Sequence, residues 1–266
     1  MSLCRPPLVV CAGIGRDSTG MLVGMSERRI RPDLVVFGDT GGEKPETYDY
    51  IPVLNDWLRS VGFPELTIVR STSNDQTLYD NAVRLNVLPS IAFNFGACSD
   101  RWKQAPQRRF LNHWQPARDA WKGGAKVIKA VGFEASETNR LRRGTYRIPK
   151  DRKFRNWFPL FEWGWDLGDC LDAILRAGLP VPMKSACYFC PVSKLHEIEW
   201  LAARHPDLLV KVLVMERLAI FRTKPPRPVK IKGLGGRKFA WSDLEVCQPF
   251  IAEADAIIKR DGLVRV

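Results

Sequence analysis

Residues 8–21, LVVCAGIGRDSTGM, constrain the fold more than any other stretch of the chain. A short apolar run (Leu8, Val9, Val10) enters a tight turn with Gly13 and Gly15, and a polar helix start follows at Asp17, Ser18 and Thr19. An apolar strand that feeds a glycine turn and opens directly into a helix predicts one strand–turn–helix unit of a parallel sheet. The glycines allow close approach to the backbone, and the helix start offers unpaired N–H groups and a positive dipole end. Ser18 and Thr19 add hydroxyls, and Arg16 adds a guanidinium suited to phosphate. The turn is a candidate anion site. An ordinary strand–turn–helix capped by Asp17 or Ser18 accounts for the same residues. The spacing is neither G-x-x-x-x-G-K-[ST] nor G-x-G-x-x-G, so two common nucleotide motifs are excluded.

The pattern recurs along the chain. Apolar runs at 34–37, 66–69 and 127–133 predict further strands, and the first of these ends in Gly38-Asp39-Thr40-Gly41-Gly42. Helices are expected over 21–29, 45–60, 102–114, 166–177, 192–204, 207–221 and 243–259. Strands alternating with helices at this pitch predict an α/β fold, a Rossmann-like parallel sheet flanked by helices, with a helical C-terminal part. The expected division is an α/β domain over 1–165 and a helical region over 166–266. Such sheets bind ligands at the carboxyl ends of their strands. Both glycine turns are therefore expected to face one crevice, with Glu134, Glu137 and Arg140 beside it.

Charge narrows the partners. The chain carries a net +12 over 266 residues. Residues 101–155 hold 16 Lys/Arg against four acids, which is the whole excess, and 222–238 hold seven bases and no acid. Clustering of this kind points to a polyanion such as a nucleic acid or nucleotide, and a solvated basic face is the alternative. No run of about 18 apolar residues occurs, so no membrane partner is expected. The first residues lack a signal-peptide profile, and a cytoplasmic location is expected. Seven cysteines there read as thiols or metal ligands rather than disulfides.

Two stretches together, AGIGRDST and FGDTGGEKPETY, resemble the PP-loop ATP pyrophosphatase superfamily in its sulfonucleotide (PAPS) reductase-like branch. The second match is the more specific, Asp39-Thr40-Gly41-Gly42-Glu43-Lys44-Pro45-Glu46-Thr47. In the first, Ala12 stands where the family has serine, and an extra residue, Ile14, separates the glycines. The resemblance continues through Cys98-Ser99-Asp100-Arg101-Trp102-Lys103, Gly132 to Arg140, Phe158 to Trp165, and Lys184 to Pro191. It implies an adenine nucleotide alpha-hydrolase-like fold and cleavage of ATP between the α- and β-phosphates. Asp17, Asp39 and Glu43 are its candidate catalytic residues. Gly13, Gly15, Arg16, Asp17, Ser18, Thr19, Asp39, Thr40, Gly41, Lys103, Glu137 and Arg140 would hold the nucleotide, with Mg2+ on Asp17 or Asp39.

Cys187 and Cys190 form a Cys-x-x-Cys, and Cys98 and Cys170 lie in family-like segments. Four thiolates suit a zinc site or an iron–sulfur cluster, and two buried free thiols are the bland alternative. The resemblance favours a [4Fe-4S] cluster over Zn2+. Cys4, Cys11 and Cys247 read as structural, and His113, His196 and His205 show no ligand or triad spacing. Trp102 and Trp157, flanked by bases, are candidates for stacking on nucleobases.

Three functions compete. The first is ATP-dependent sulfur transfer or a related modification of a nucleic acid or nucleotide, with a sulfur-donor protein as a further partner. The second is a sulfonucleotide reductase, although the Glu245-Val246-Cys247-Gln248-Pro249 tail lacks the Glu-Cys-Gly-x-His of those enzymes. The third is a non-catalytic nucleic-acid-binding scaffold.

Overall fold

Five parallel strands give the chain its frame: β1 (Leu8–Ala12), β2 (Leu34–Asp39), β3 (Leu66–Arg70), β4 (Val127–Val131) and β5 (Phe154–Trp157). The computed structural model describes residues 5–72, 75–138, 151–220 and 232–263. The strand order is β3-β2-β1-β4-β5. β1 pairs with β2 on one side (Val10 opposite Val35) and with β4 on the other (Val10 opposite Ala130). The chain therefore winds outward to β3 and then jumps back across β1 to β4. That reversal is the switch point at which open α/β sheets bind ligands.

Alternation sorts the strand side chains onto two faces. Val10, Val35, Phe37 and Ala130 pack with Met21, Leu22 and Met25 of α1 (Arg16–Glu27) and with Tyr50, Leu54 and Leu58 of α2 (Pro45–Ser60). Val9, Leu34, Val36, Val127 and Phe154 face Leu111 of α5 (Ala105–His113) and Ala117 of α6 (Gln115–Lys122). Both faces are covered, which is why the strands read as continuous apolar runs. The described residues fall into two compact units. The first takes residues up to Asp39, Lys44–Arg70 and Gln104–Ser185, and holds the whole sheet.

The second unit takes Thr40–Glu43, Ser71–Lys103 and the residues from Ala186 on. Its core is helical: Leu78 and Ala82 of α3 (Leu78–Leu85), Ile198 and Leu201 of α9 (Leu195–Arg204), Leu209 to Leu218 of α10 (Pro206–Ile220), and Ala254 and Ile258 of α11 (Gln248–Arg260). On α10, the fully buried Glu216 accepts hydrogen bonds from the amides of Leu234 (2.6 Å), Trp241 (2.8 Å) and Ser242 (2.8 Å), which lie between α10 and α11. Two short helices, α4 (Ala97–Ser99) and α7 (Pro159–Glu162), are also present among the described residues.

The compact units do not divide at residue 165. The helix α8 (Leu167–Arg176) belongs to the first unit, because it lies against Gly20 of α1. A Cβ at Gly20 would stand 2.7 Å from the Cβ of Cys170. No helix among the described residues is long and apolar enough to cross a membrane.

Candidate functional site

The β1–α1 turn is built from backbone. Gly15 caps α1 from an extended conformation, its amide donating to Ser18 Oγ (3.2 Å) while Ser18 Oγ donates back to the Gly15 carbonyl (3.1 Å). Two neighbours press on the turn. A Cβ at Gly15 would lie 3.1 Å from the amide nitrogen of Ser185, and one at Gly132, just after β4, would lie 3.3 Å from the Ser18 nitrogen. Gly13 is different. Its nearest neighbours would be the Ser185 hydroxyl at 3.9 Å and the Ser18 hydroxyl at 4.0 Å, a space left open and edged by two hydroxyls. Ile14, between the glycines, takes the left-handed conformation (φ 58) although β-branched, and its side chain is fully buried. That conformation disfavours side chains like isoleucine, so packing holds it there.

Not every residue expected in this turn is free to meet a ligand. Thr19 is fully buried, and its hydroxyl has no hydrogen-bond partner among the described residues, so it belongs to the interior of α1. Ser18 has its hydroxyl engaged with Gly15, which makes it the turn's own clasp first. Arg16 and Asp17 are half-buried at the first turn of α1, where a carboxylate is favoured by the helix dipole. Ser185 and Gly132 were not singled out by sequence, although both lie in segments that carry the family resemblance.

At the end of β2, Asp39 is 1% exposed and each of its oxygens has a donor. Tyr48 donates to Oδ1 (2.8 Å) and the Nε of Arg70 donates to Oδ2 (2.8 Å). The carboxylate is fixed in place on two sides. Arg70 itself is 63% exposed.

The second unit holds a separate cluster around the turn at Thr40–Glu43. The Gly42 carbonyl accepts from the Tyr188 amide (2.9 Å), and Glu43 bridges antiparallel to Cys187. Gly41 is left-handed (φ +68), and a Cβ there would meet Thr77 at 2.5 Å, so glycine is needed on both counts. Thr40 Oγ1 lies 3.2 Å from Cys187 Sγ, and Lys103 Nζ donates to Glu43 Oε1 (2.6 Å), whose side chain is 0% exposed. Cys187 Sγ is 4.0 Å from the same carboxylate oxygen. Burial pushes the Cys187 thiol well up and Glu43 adds to it; burial likewise raises Cys190. Burial alone would lower Lys103, but Glu43 and the thiols more than offset it, and its pKa is raised. Cys190 completes the loop, its amide bonding to the Cys187 carbonyl (3.0 Å). Thr40 and Lys103, expected on the nucleotide, and Glu43, expected to be catalytic, are thus engaged with one another or with Cys187.

The four cysteines expected to share a metal centre fall in both compact units. Cys98, Cys187 and Cys190 belong to the second unit, while Cys170 belongs to the first. There Cys170 is fully buried in the notch that Gly20 leaves on α1, and burial, with Asp17 adding, pushes its thiol up to about 12. It is a packing residue, small enough for a close helix pair. Among the described residues no group of three or more His, Cys, Asp or Glu side chains is arranged to hold a metal ion. Trp102 is 2% exposed in the core of the second unit, which removes it as a stacking platform. Glu137 is half-buried just beyond β4. Arg140 and the bases from 140 to 150 lie outside the described residues, as do those from 222 to 230. Cys247 is fully buried, and burial, with Glu216 adding, raises its thiol to about 12.

No protein-family model matches this chain, and no curated protein matches it either. Among solved structures, it is similar to the U34-tRNA thiolase NcsA from Methanococcus maripaludis with its [4Fe-4S] cluster, at 17% identity and a TM-score of 0.45, over 84% of this chain and 77% of that one.

Proposed function

We propose that this chain is an adenylating enzyme that binds ATP in the β1–α1 turn, activates an oxygen of a nucleic acid or nucleotide, and lets sulfur take its place. The observation that carries it is the space at Gly13, edged by the Ser18 and Ser185 hydroxyls and lying at the start of α1 beside the switch point of the sheet. A phosphate there would meet backbone donors and the positive end of the helix. Attack of a substrate oxygen on the α-phosphorus would break the bond to the β-phosphate, and pyrophosphate would leave toward α1. Arg16, the first residue of α1, would meet that developing charge. Asp17, on the first turn of α1, or Asp39, at the end of β2, is the carboxylate suited to Mg2+. The metal would neutralise the leaving pyrophosphate. A sulfur nucleophile would then displace AMP. The sulfur would come from a separate donor, whose sulfur forms the new bond as AMP leaves with the substrate oxygen.

Cys247 weighs against the sulfonucleotide-reductase reading, because a nucleophile carried on a C-terminal tail has to reach its substrate and this thiol is in the core. ATP–pyrophosphate exchange is the test. Asp17→Ala is expected to lower exchange by about a hundredfold or more, the scale of losing one charged contact to the transition state, without unfolding the protein. Release of ADP and phosphate by the wild type would refute the reading. Absence of any ATP turnover would favour a binding scaffold.

A further inference from the structure

We propose that a groove at the carboxyl end of β3 holds one nucleotide of a single-stranded nucleic acid, its base on Trp114 and its phosphate between Arg70 and Arg109. The groove has a volume of about 510 Å³ and lies wholly within the first unit. Val69 and Arg70 at the end of β3 form one wall, and Arg109, Phe110, His113 and Trp114 from the end of α5 form the other. Its size is that of a small-molecule site. Its composition is unusual for a surface hollow: two guanidiniums, an imidazole and two aromatic rings, with no acid among the lining residues.

Two of these groups are held still. Arg70 gives its Nε to the buried Asp39 (2.8 Å), which fixes the guanidinium and leaves its terminal nitrogens to offer a ligand. Trp114 stands at the bend between α5 and α6, its amide bonded to the Phe110 carbonyl (3.0 Å). An arginine anchored through its Nε and a half-exposed indole packed against the core beside Leu111 and Ala117 are what a phosphate and a base require, since stacking is indifferent to sequence and the guanidinium matches phosphate oxygens. An acidic peptide would use the cations but leave the aromatic rings without a planar partner.

The surroundings choose a strand over a free nucleotide. From Gln104 to Lys126 the chain carries five bases and one acid. Arg108, Arg109, Arg118, Lys122 and Lys126 are all exposed. The acid, Asp119, accepts a hydrogen bond from Gln115 (2.7 Å). Positive charge continuing beyond a groove of one-nucleotide size suits neighbouring phosphates of a polynucleotide. Arg70 then ties the strand to Asp39, so the groove deepens the proposed function by placing its substrate, and it rests on that reading only in taking the substrate to be a nucleic acid.

The test is titration of the purified protein with a labelled oligouridylate, without ATP, over a range of salt. Trp114→Leu is expected to weaken binding by about 5- to 150-fold, the range for loss of one stacked base, while Trp114→Tyr keeps most of it. Arg109→Gln, a surface change that leaves the aromatic packing alone, is expected to weaken binding and to flatten the dependence of log K on log salt by about 0.7, one phosphate's worth on a single strand. Wild-type affinity and salt slope in folded Arg109→Gln and Trp114→Leu would overturn the proposal. Uridine monophosphate competing as well as the oligonucleotide would overturn the strand in favour of a free nucleotide. ATP–pyrophosphate exchange by the wild type is read separately: exchange without groove-dependent binding defeats only the groove, and binding without exchange defeats only the adenylation.

Discussion

The two units hold their candidate sites by opposite means. In the first, the β1–α1 turn is made of glycines pressed by other backbone, from Ser185 on one side and Gly132 on the other, and the side chains mostly clasp the turn itself. In the second, the cluster is made of side chains from three distant segments, Thr40 and Glu43, Lys103, and Cys187, joined by an ion pair and a hydroxyl–thiol contact. A backbone site survives many substitutions but not the addition of a Cβ. A side-chain cluster tolerates added volume poorly and loss of a partner worse. The two should therefore fail differently when mutated.

The largest expected effect is in the second unit. Lys103→Met removes the cation facing a carboxylate that is 0% exposed, and breaking such a buried pair costs about 3–5 kcal/mol. Urea unfolding should show that loss, with Glu43→Gln losing clearly less because no charge is stranded. Equal and small losses would mean that the pair is solvated and the contrast with the first unit is false.

In the first unit the sensitive change is Gly20→Ala. The new Cβ would lie 2.8 Å from the Cys170 Cα, which is backbone and cannot swing aside. Overpacking of this kind costs about 1–3 kcal/mol. Gly123→Ala, whose Cβ would find nothing closer than 3.5 Å, serves as control and should stay within about 0.5 kcal/mol in thermal unfolding.

A smaller effect, common to both units, is read by pH. Burial raises Cys170 and Cys247 to about 12 from an ordinary 9.0. The unfolded chain then loses these protons first, so stability is intact below about pH 9 and falls as pH rises toward 12. At about pH 10 each thiol is expected to cost on the order of 1 kcal/mol. Cys170→Ala should remove its share of the slope, and an unchanged slope would show that the α1–α8 contact is open to water. Smallest of all, Cys170→Ser should leave iron and zinc content per protein chain as in the wild type. Metal lost in that variant would restore the four-cysteine centre.

How much of this could be read in the sequence follows the same division. β1 to β4 were legible because both their faces are buried and the residues say so, as were α2 and α8 to within a residue or two. β5 was not, because Phe154-Arg155-Asn156-Trp157 is an edge strand with polar residues at half its positions. The helix α3 was passed over although Thr77 and Asp80 form a capping box that the sequence displays. Gly13 and Asp17 were singled out from the turn alone, as expectations. The partnership of Glu43 with Lys103 was not, since nothing local in either segment announces a contact across 60 residues. The packing of Cys170 against Gly20 was not legible for a related reason: a notch in a helix leaves no trace except a glycine among apolar residues.

Ile14 bears on the timing of ligand capture. A left-handed isoleucine costs about 1–2 kcal/mol of backbone strain, and full burial of its side chain returns about 1.5–3 kcal/mol. The hydrophobic core, and not the incoming phosphate, thus holds the turn in shape. ATP would meet a mould that is already set, and association should proceed in a single kinetic phase. In Ile14→Ala the anchor is gone while the strain remains, so the turn should wander and ATP would have to freeze it. Calorimetry would register that as a more unfavourable binding entropy, with no contact to the nucleotide removed.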